Sequence, residues 1–169
     1  RKPRMPRLAD PSLAVESTLS NPTASTILKN HAKNAKTACI LICDITRPVP
    51  NSLILGPIVR KLMTLGIQSE QITILIATGL HRPNEGKELE ELIGDPWVLE
   101  NTKVENHFAR DDSAHIEVGT TKKGNRILLD RRFVSADVRI VTGLVEPHFM
   151  AGYSGGRKVI APGVAHAET

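Results

Sequence analysis

The chain has 169 residues, 40% of them apolar, which suits one domain with its own core, and no run approaches the ~20 apolar residues that a membrane span needs. The formal net charge is +4, yet Arg1, Lys2, Arg4 and Arg7 alone carry four positive charges, so the excess belongs mainly to the amino-terminal tail. With aromatics at only 3%, the stacking residues of a nucleic-acid binder are scarce, and a small anionic ligand fits the remaining charge better.

Residues 1–20 are Pro- and Arg-rich without hydrophobic period and read as a basic arm or lead-in. No apolar stretch follows the basic start, so no secretory signal is expected and a cytoplasmic setting is. Asn21-Pro22 offers an N-cap and a first-turn proline for a short helix over residues 24–34. Thr37 to Cys43 is a near-continuous apolar run, as in a parallel strand buried on both faces. Its two cysteines, Cys39 and Cys43, read as buried free thiols. A helix is expected from Asn51-Ser52 to Gly66, with Pro57 predicting a kink or a later start. Gln71 to Ala77 is a second apolar strand, and residues 84–93 a helix stopped by Gly94.

After Trp97 the segments shorten. Residues 103–108, 115–120 and 125–129 read as strands, the last two joined by a turn at Lys122-Lys123-Gly124-Asn125. Residues 138–145 restore a buried strand. The alternation predicts a largely parallel, twisted, Rossmann-like α/β sheet with flanking helices over residues 21–169. The chain opens without Met and stops at Ala167-Glu168-Thr169, and both ends read as cut.

Ligands of open parallel sheets sit beyond the carboxyl ends of the strands. Three polar loops fall there: Asp44-Ile45-Thr46-Arg47-Pro48, Thr78-Gly79-Leu80-His81-Arg82-Pro83, and Glu146-Pro147-His148-Phe149-Met150-Ala151-Gly152-Tyr153-Ser154-Gly155-Gly156-Arg157-Lys158. Asp44 and Arg47 suit a substrate-binding pair, the arginine gripping a carboxylate through two N–H groups, or equally a structural pair that folds the loop. His81 and His148, from separate loops, suit acid/base work on opposite sides of one substrate. Ser154, Gly155, Gly156 and Arg157 suit an anion cradle. Lys158 is a phosphate counter-ion or a nucleophilic amine.

Other readings fail or weigh less. The P-loop pattern is broken, because Arg157 follows Gly156 and Val159 follows Lys158. Thr46 stands where a haloacid-dehalogenase-like phosphatase needs a second aspartate. His107 and His115 flank Asp111-Asp112 in what reads as a surface connection. His31 reads as a surface residue and His166 as the start of a helix. A non-catalytic nucleotide- or anion-binding domain is the alternative to an enzyme.

Together the three motifs, in this order and spacing, resemble the N-terminal domain of the nickel-dependent lactate racemase family, over residues 41–169. The resemblance implies a two-domain α/β isomerase with its site between the domains, so that its own C-terminal domain is the expected partner. It implies racemisation or epimerisation of a 2-hydroxy acid by reversible C2 hydride transfer to a nickel-pincer nucleotide tethered to Lys158. His81 and His148 match the acid/base pair, and Asp44 and Arg47 the substrate motif, with Arg47 on the carboxylate. No metal ligand is expected within this chain; the nickel-ligating histidine is expected beyond Thr169. This piece alone is then expected to be inactive.

Overall fold

A computed structural model describes residues 6–169; Arg1, Lys2 and Arg4 of the basic arm lie outside the described residues. Four strands form a parallel sheet in the order β3-β2-β1-β6: β1 is Ala38–Cys43, β2 Ile72–Ala77, β3 Lys103–Asn106 and β6 Val138–Val141. Side chains alternate across a strand, so each strand feeds two cores. Ala38, Ile40 and Ile42 of β1, with Ile72, Ile74 and Ile76 of β2, face one helical layer. Cys39, Leu41 and Cys43, with Leu75, face the other side, against Phe133, Val159 and Val164. This two-faced burial is why β1 is apolar throughout and β2 apolar at every position but Thr73. Each buried Ile or Leu stabilises the fold by about 1.5–3 kcal/mol relative to exposure.

The first layer is built by α3 (Asn51–Thr64), α4 (Gly86–Ile93) and α5 (Pro96–Asn101), with Leu55, Val59, Leu62, Ile93 and Val98 buried against the sheet. The α3 helix starts at Asn51 and includes Pro57 in its interior, so the later start that Pro57 suggested is not taken. A two-stranded antiparallel ribbon, β4 (His115–Thr120) with β5 (Arg126–Asp130), stands apart from the main sheet. Between β5 and β6, α6 (Arg131–Val134) covers the second face.

The amino-terminal expectation is corrected. Residues 11–20, read as part of a lead-in, form α1 (Pro11–Ser20), capped by Asp10 accepting from the Leu13 N–H. This helix lies against α3, and Leu19 reaches the core. Its apolar stripe is too short to show as a period. Asn21 closes α1 rather than opening the next helix, its backbone and side-chain N–H groups both donating to the Ser17 carbonyl. The expected helix over 24–34 shrinks to α2 (Leu28–His31). β6 ends at Val141, short of the expected Val145; the Thr142 N–H and hydroxyl both bond the Leu41 carbonyl, and the chain then turns away to build the third loop.

Candidate active site

The three loops converge at the carboxyl edge of the sheet, where they line one cavity of about 430 Å³. Asp44, Thr46 and Arg47 enter from the end of β1, Thr78 to His81 from β2, and His148, Met150, Ser154, Gly155 and Lys158 from the segment after β6. The β2 loop is held from below. Thr78 donates its hydroxyl to the His107 carbonyl at 2.6 Å, and the Gly79 N–H bonds Gly163 O at 2.9 Å. A Cβ on Gly163 would lie 2.1 Å from the Val159 carbonyl, so only glycine permits this approach.

Asp44 is buried, and its partners are all within the site. Oδ1 accepts from the Thr46 N–H at 3.2 Å and the Thr46 hydroxyl at 2.5 Å. Oδ2 lies 2.6 Å from Nδ1 of His81, whose ring is well exposed to the cavity side of the loop. The carboxylate thus touches His81 and its own loop, with no oxygen left free of partners. Arg47 does not pair with Asp44: its guanidinium sits 3.6 Å from Glu146 of the third loop. Asn84, also buried, ties loops together by accepting from the Ile45 N–H while its own N–H donates to Asn106. Arg82 points outward into a two-pronged pair with Glu88 (2.8 and 2.6 Å), and hydrogen bonds from Arg82 and Asn84 hold Glu88 at about 2.

The third loop is a small hairpin of β7 (Pro147–His148) and β8 (Gly152–Tyr153), followed by α7 (Arg157–Ile160). Its fold depends on Ser154, whose hydroxyl donates to Leu144 O at 2.6 Å and accepts from the Glu146 N–H at 3.1 Å. That hydroxyl is occupied in building the loop, so the expected anion contact from Ser154 is not available from its oxygen as folded. Gly155 has φ +68°, and a Cβ there would meet the Leu144 carbonyl at 2.8 Å. The cavity lining includes Ser154, Gly155 and Lys158, while Gly156 and Arg157 are exposed outside it. His148 stacks on Phe149 at 5.2 Å, and its Nδ1 accepts from the Met150 and Ala151 N–H groups. Lys158 is half-buried, and its amine has no ion-pair partner among the described residues.

Three of the remaining four histidines form a second polar cluster, while His31 is exposed on α2 as expected. His107 and His115 are buried rather than part of a surface connection, and so is His166. His107 bonds Asp130 and the Ala165 carbonyl, and His166 bonds Asp112. The rings stack edge-on, His107 on His115 at 5.0 Å and His115 on His166 at 4.9 Å. Among the described residues no three His, Cys, Asp or Glu side chains are arranged to hold a metal. No described helix is long and apolar enough to cross a membrane.

The family model described as the lactate racemase N-terminal domain matches residues 1–169. The chain belongs to this family. It is 36% identical over 155 residues to the lactate racemase of Lactiplantibacillus plantarum, covering 92% of this chain and 36% of that protein. It is 35% identical to the lactate racemase of Thermoanaerobacterium thermosaccharolyticum, covering 91% of this chain and 36% of that one. The fold matches the solved lactate racemase apoprotein of T. thermosaccharolyticum with a TM-score of 0.84 at 33% identity, over 92% of this chain and 37% of that chain. A Thermotoga maritima structure shares the fold, at a TM-score of 0.75 and 24% identity over 93% of this chain and 39% of its own. The chain therefore spans a little over a third of the length of its curated relatives. Racemase chemistry, an isomerase activity, is established at the level of this family.

Proposed function

We propose that this chain supplies one wall of a 2-hydroxy acid racemase or epimerase site, acting on lactate or a related acid together with a C-terminal domain. The observation that carries this reading is the convergence of Asp44, Arg47, His81, His148 and Lys158, from three separate loops, on one cavity. Arg47 suits the substrate carboxylate: an arginine fork bonds it through two N–H groups, for about 1.5–3 kcal/mol per charge-assisted bond. Glu146, at 3.6 Å, keeps that side chain beside the loop that carries His148. His81 and His148 are the acid/base pair facing the substrate hydroxyl, and Asp44 orients His81.

The nickel-pincer nucleotide of the family fits the residues present. The cavity volume falls in the usual ~300–1,000 Å³ of small-molecule sites, and Lys158, which lines it and has no ionic partner among the described residues, is the group that would tether it. The chemistry supplied by that group, when bound, is reversible acceptance of the C2 hydride, which leaves a planar 2-keto acid. Gly155 lets the backbone come close; Gly156 and Arg157, on the outer side of the loop, are free to meet the nucleotide phosphate. The nickel-ligating histidine is assigned beyond Thr169.

The test is to express the full-length protein with the enzymes that make the cofactor and to follow the optical rotation of lactate, malate and related acids. Loss of rotation from either enantiomer is expected. No isomerisation of any 2-hydroxy acid refutes the reading and favours a domain that only binds a nucleotide or anion.

A further inference from the structure

His107 takes no part in lining the cavity, and its ring is fully buried. Nδ1 lies 3.1 Å from Oδ2 of Asp130, and Nε2 lies 3.1 Å from the Ala165 carbonyl. Carboxylates and carbonyls only accept, so both nitrogens donate and the ring is an imidazolium. Its surroundings match that charge. Asp130 on β5 faces it directly, and Arg132 on α6, which binds the same carboxylate, is answered by Glu105 on β3 at 3.0 Å. Two cations meet two carboxylates, as a buried charge requires. His115 on β4 packs edge-on against His107 and is neutral: Nδ1 donates to Asp111 O at 2.7 Å, and the buried Nε2 has no partner among the described residues that could accept a hydrogen. His166 beyond it donates from Nε2 to Asp112 and accepts the Glu168 N–H at Nδ1, which makes it neutral too.

The bonds of His107 join two parts of the chain that carry site residues. Its N–H donates to Ile76 O at 3.1 Å, and its carbonyl takes the Thr78 hydroxyl at 2.6 Å, at the head of the loop that carries His81. Ala165 lies on the strap that follows α7 and Lys158. This strap runs beside β5: Val164 O accepts the Asp130 N–H at 2.9 Å, and the His166 N–H donates to Leu128 O at 3.0 Å. Just before Val164, Gly163 O accepts the Gly79 N–H at 2.9 Å. We infer that His107 is a positioning residue, a buried double donor that clamps the strap after Lys158 to the loop that carries His81. It thereby sets the spacing between two walls of the cavity. Its effect on turnover rests on the racemase reading; the clamp itself does not. A neutral His107 keeps only one of its two bonds. The ionised Asp130 holds Nδ1–H, and a bare Nε2 then faces the Ala165 carbonyl, lone pair against lone pair. The strap is therefore the end that is released.

Amide side chains separate the two bonds. The nitrogen of asparagine falls close to Nδ1 of histidine, and that of glutamine close to Nε2. His107→Gln therefore keeps the donor to Ala165, and His107→Asn the donor to Asp130. Hydrogen exchange of the full-length protein, read by mass spectrometry, compares them. In His107→Asn, residues 163–167 and 78–81 should exchange together at least roughly 10-fold faster, because the buried Ala165 carbonyl has lost its donor. In His107→Gln both segments should stay near the parent rate. Parent-like exchange in His107→Asn, opening of 163–167 without 78–81, or equal opening in both variants overturns the clamp.

NMR of the unsubstituted full-length protein labelled with ¹⁵N-histidine needs no His107 variant to fold. At a pH of about 7.5, one unit above the ordinary ~6.5 of imidazole, one ring should carry slowly exchanging hydrogens on both nitrogens. Asp130→Asn, which removes the counter-charge, should turn that ring neutral. The absence of such a ring, or its indifference to Asp130→Asn, overturns the inference. In a protein that racemises a 2-hydroxy acid, His107→Asn should lower kcat by about 10- to 100-fold, the cost of a small misplacement in a site. His107→Gln should recover most of that loss. A His107→Asn enzyme with the parent's kcat overturns the positioning role. A full-length protein that racemises nothing defeats the racemase reading, while exchange and spectra still decide the clamp.

Discussion

Replacing Asp130 by alanine removes a carboxylate that holds both His107 and Arg132. It is fully buried and accepts from Nδ1 of His107 at 3.1 Å. It also accepts from Arg132 three times: the backbone N–H and Nε reach Oδ1 at 3.0 Å, and a terminal guanidinium nitrogen reaches Oδ2 at 2.6 Å. Removing one partner of a buried pair costs about 3–5 kcal/mol, because the other is left unmatched. The Arg132 side chain is 31% exposed, and Glu105 and the Asn106 carbonyl still hold it, so the low end of that range applies. The carboxylate also caps α6, which adds about 1 kcal/mol. The sum is about 4 kcal/mol. At ~2–4 °C per kcal/mol for a domain of this size, Tm should fall by roughly 8–16 °C. A thermal melt followed by the fluorescence of Trp97, the one tryptophan in the chain, reads this out. A fall of under about 2 °C would mean that His107 and Arg132 find water, and the reasoning would fail.

Asp130 also sets an acid dependence. Burial pushes its carboxyl up, but the hydrogen bonds from His107 and Arg132 and the Arg132 charge outweigh it and hold the group well below the usual carboxylate range. A depressed folded value gives stability that is fully present above the unfolded value of ~3.9 and is lost as pH falls below it. Acid melts should therefore show the parent losing more stability below about pH 4 than Asp130→Ala does; parallel curves would contradict this. Ser154→Ala should cost about 1–3 kcal/mol by stranding Leu144 O and the Glu146 N–H, measured by denaturant titration, and a loss under ~0.5 kcal/mol would show that the hydroxyl does not hold the loop. Gly155→Ala, strained at φ +68° and facing the Leu144 carbonyl, should cost at least ~1 kcal/mol in the same assay and shift the backbone signals of residues 144–158 in NMR. Burial pushes the Cys39 thiol up to about 12, with the Asp130 charge adding to it, so a disulfide reagent should label Cys39 only on unfolding. Rapid labelling of the folded chain would refute its burial.

The parallel sheet was legible because β1 and β2 pack on both faces, which leaves an uninterrupted apolar run at 38–43 and one broken only by Thr73 at 72–77. The convergence of the three loops was legible because they follow those runs directly, so chain order and strand polarity alone brought them to one edge. What stayed hidden depends on partners distant in sequence. Asp44 and Arg47 are three residues apart, yet Asp44 turns to His81 and Arg47 to Glu146, 37 and 99 positions away by residue number. Asn84 gave no signal beyond a polar residue after a proline, although it is buried between two loops. The run Glu146–Lys158 reads as a phosphate cradle, but a sequence cannot tell a serine that meets a ligand from one, like Ser154, that closes its own loop. His107, His115 and His166 are separated by up to 59 positions, and only the fold makes them one buried row.

The central claim is that the Lys158 loop holds a covalent nucleotide for a hydroxyacid racemase. Peptide mass spectrometry tests it most directly, on full-length protein purified from cells that make the cofactor and active on a 2-hydroxy acid. The peptide containing Lys158 should carry the mass of the nucleotide, and Lys158→Ala should lose both the adduct and the activity. An active protein whose Lys158 is unmodified would contradict the account.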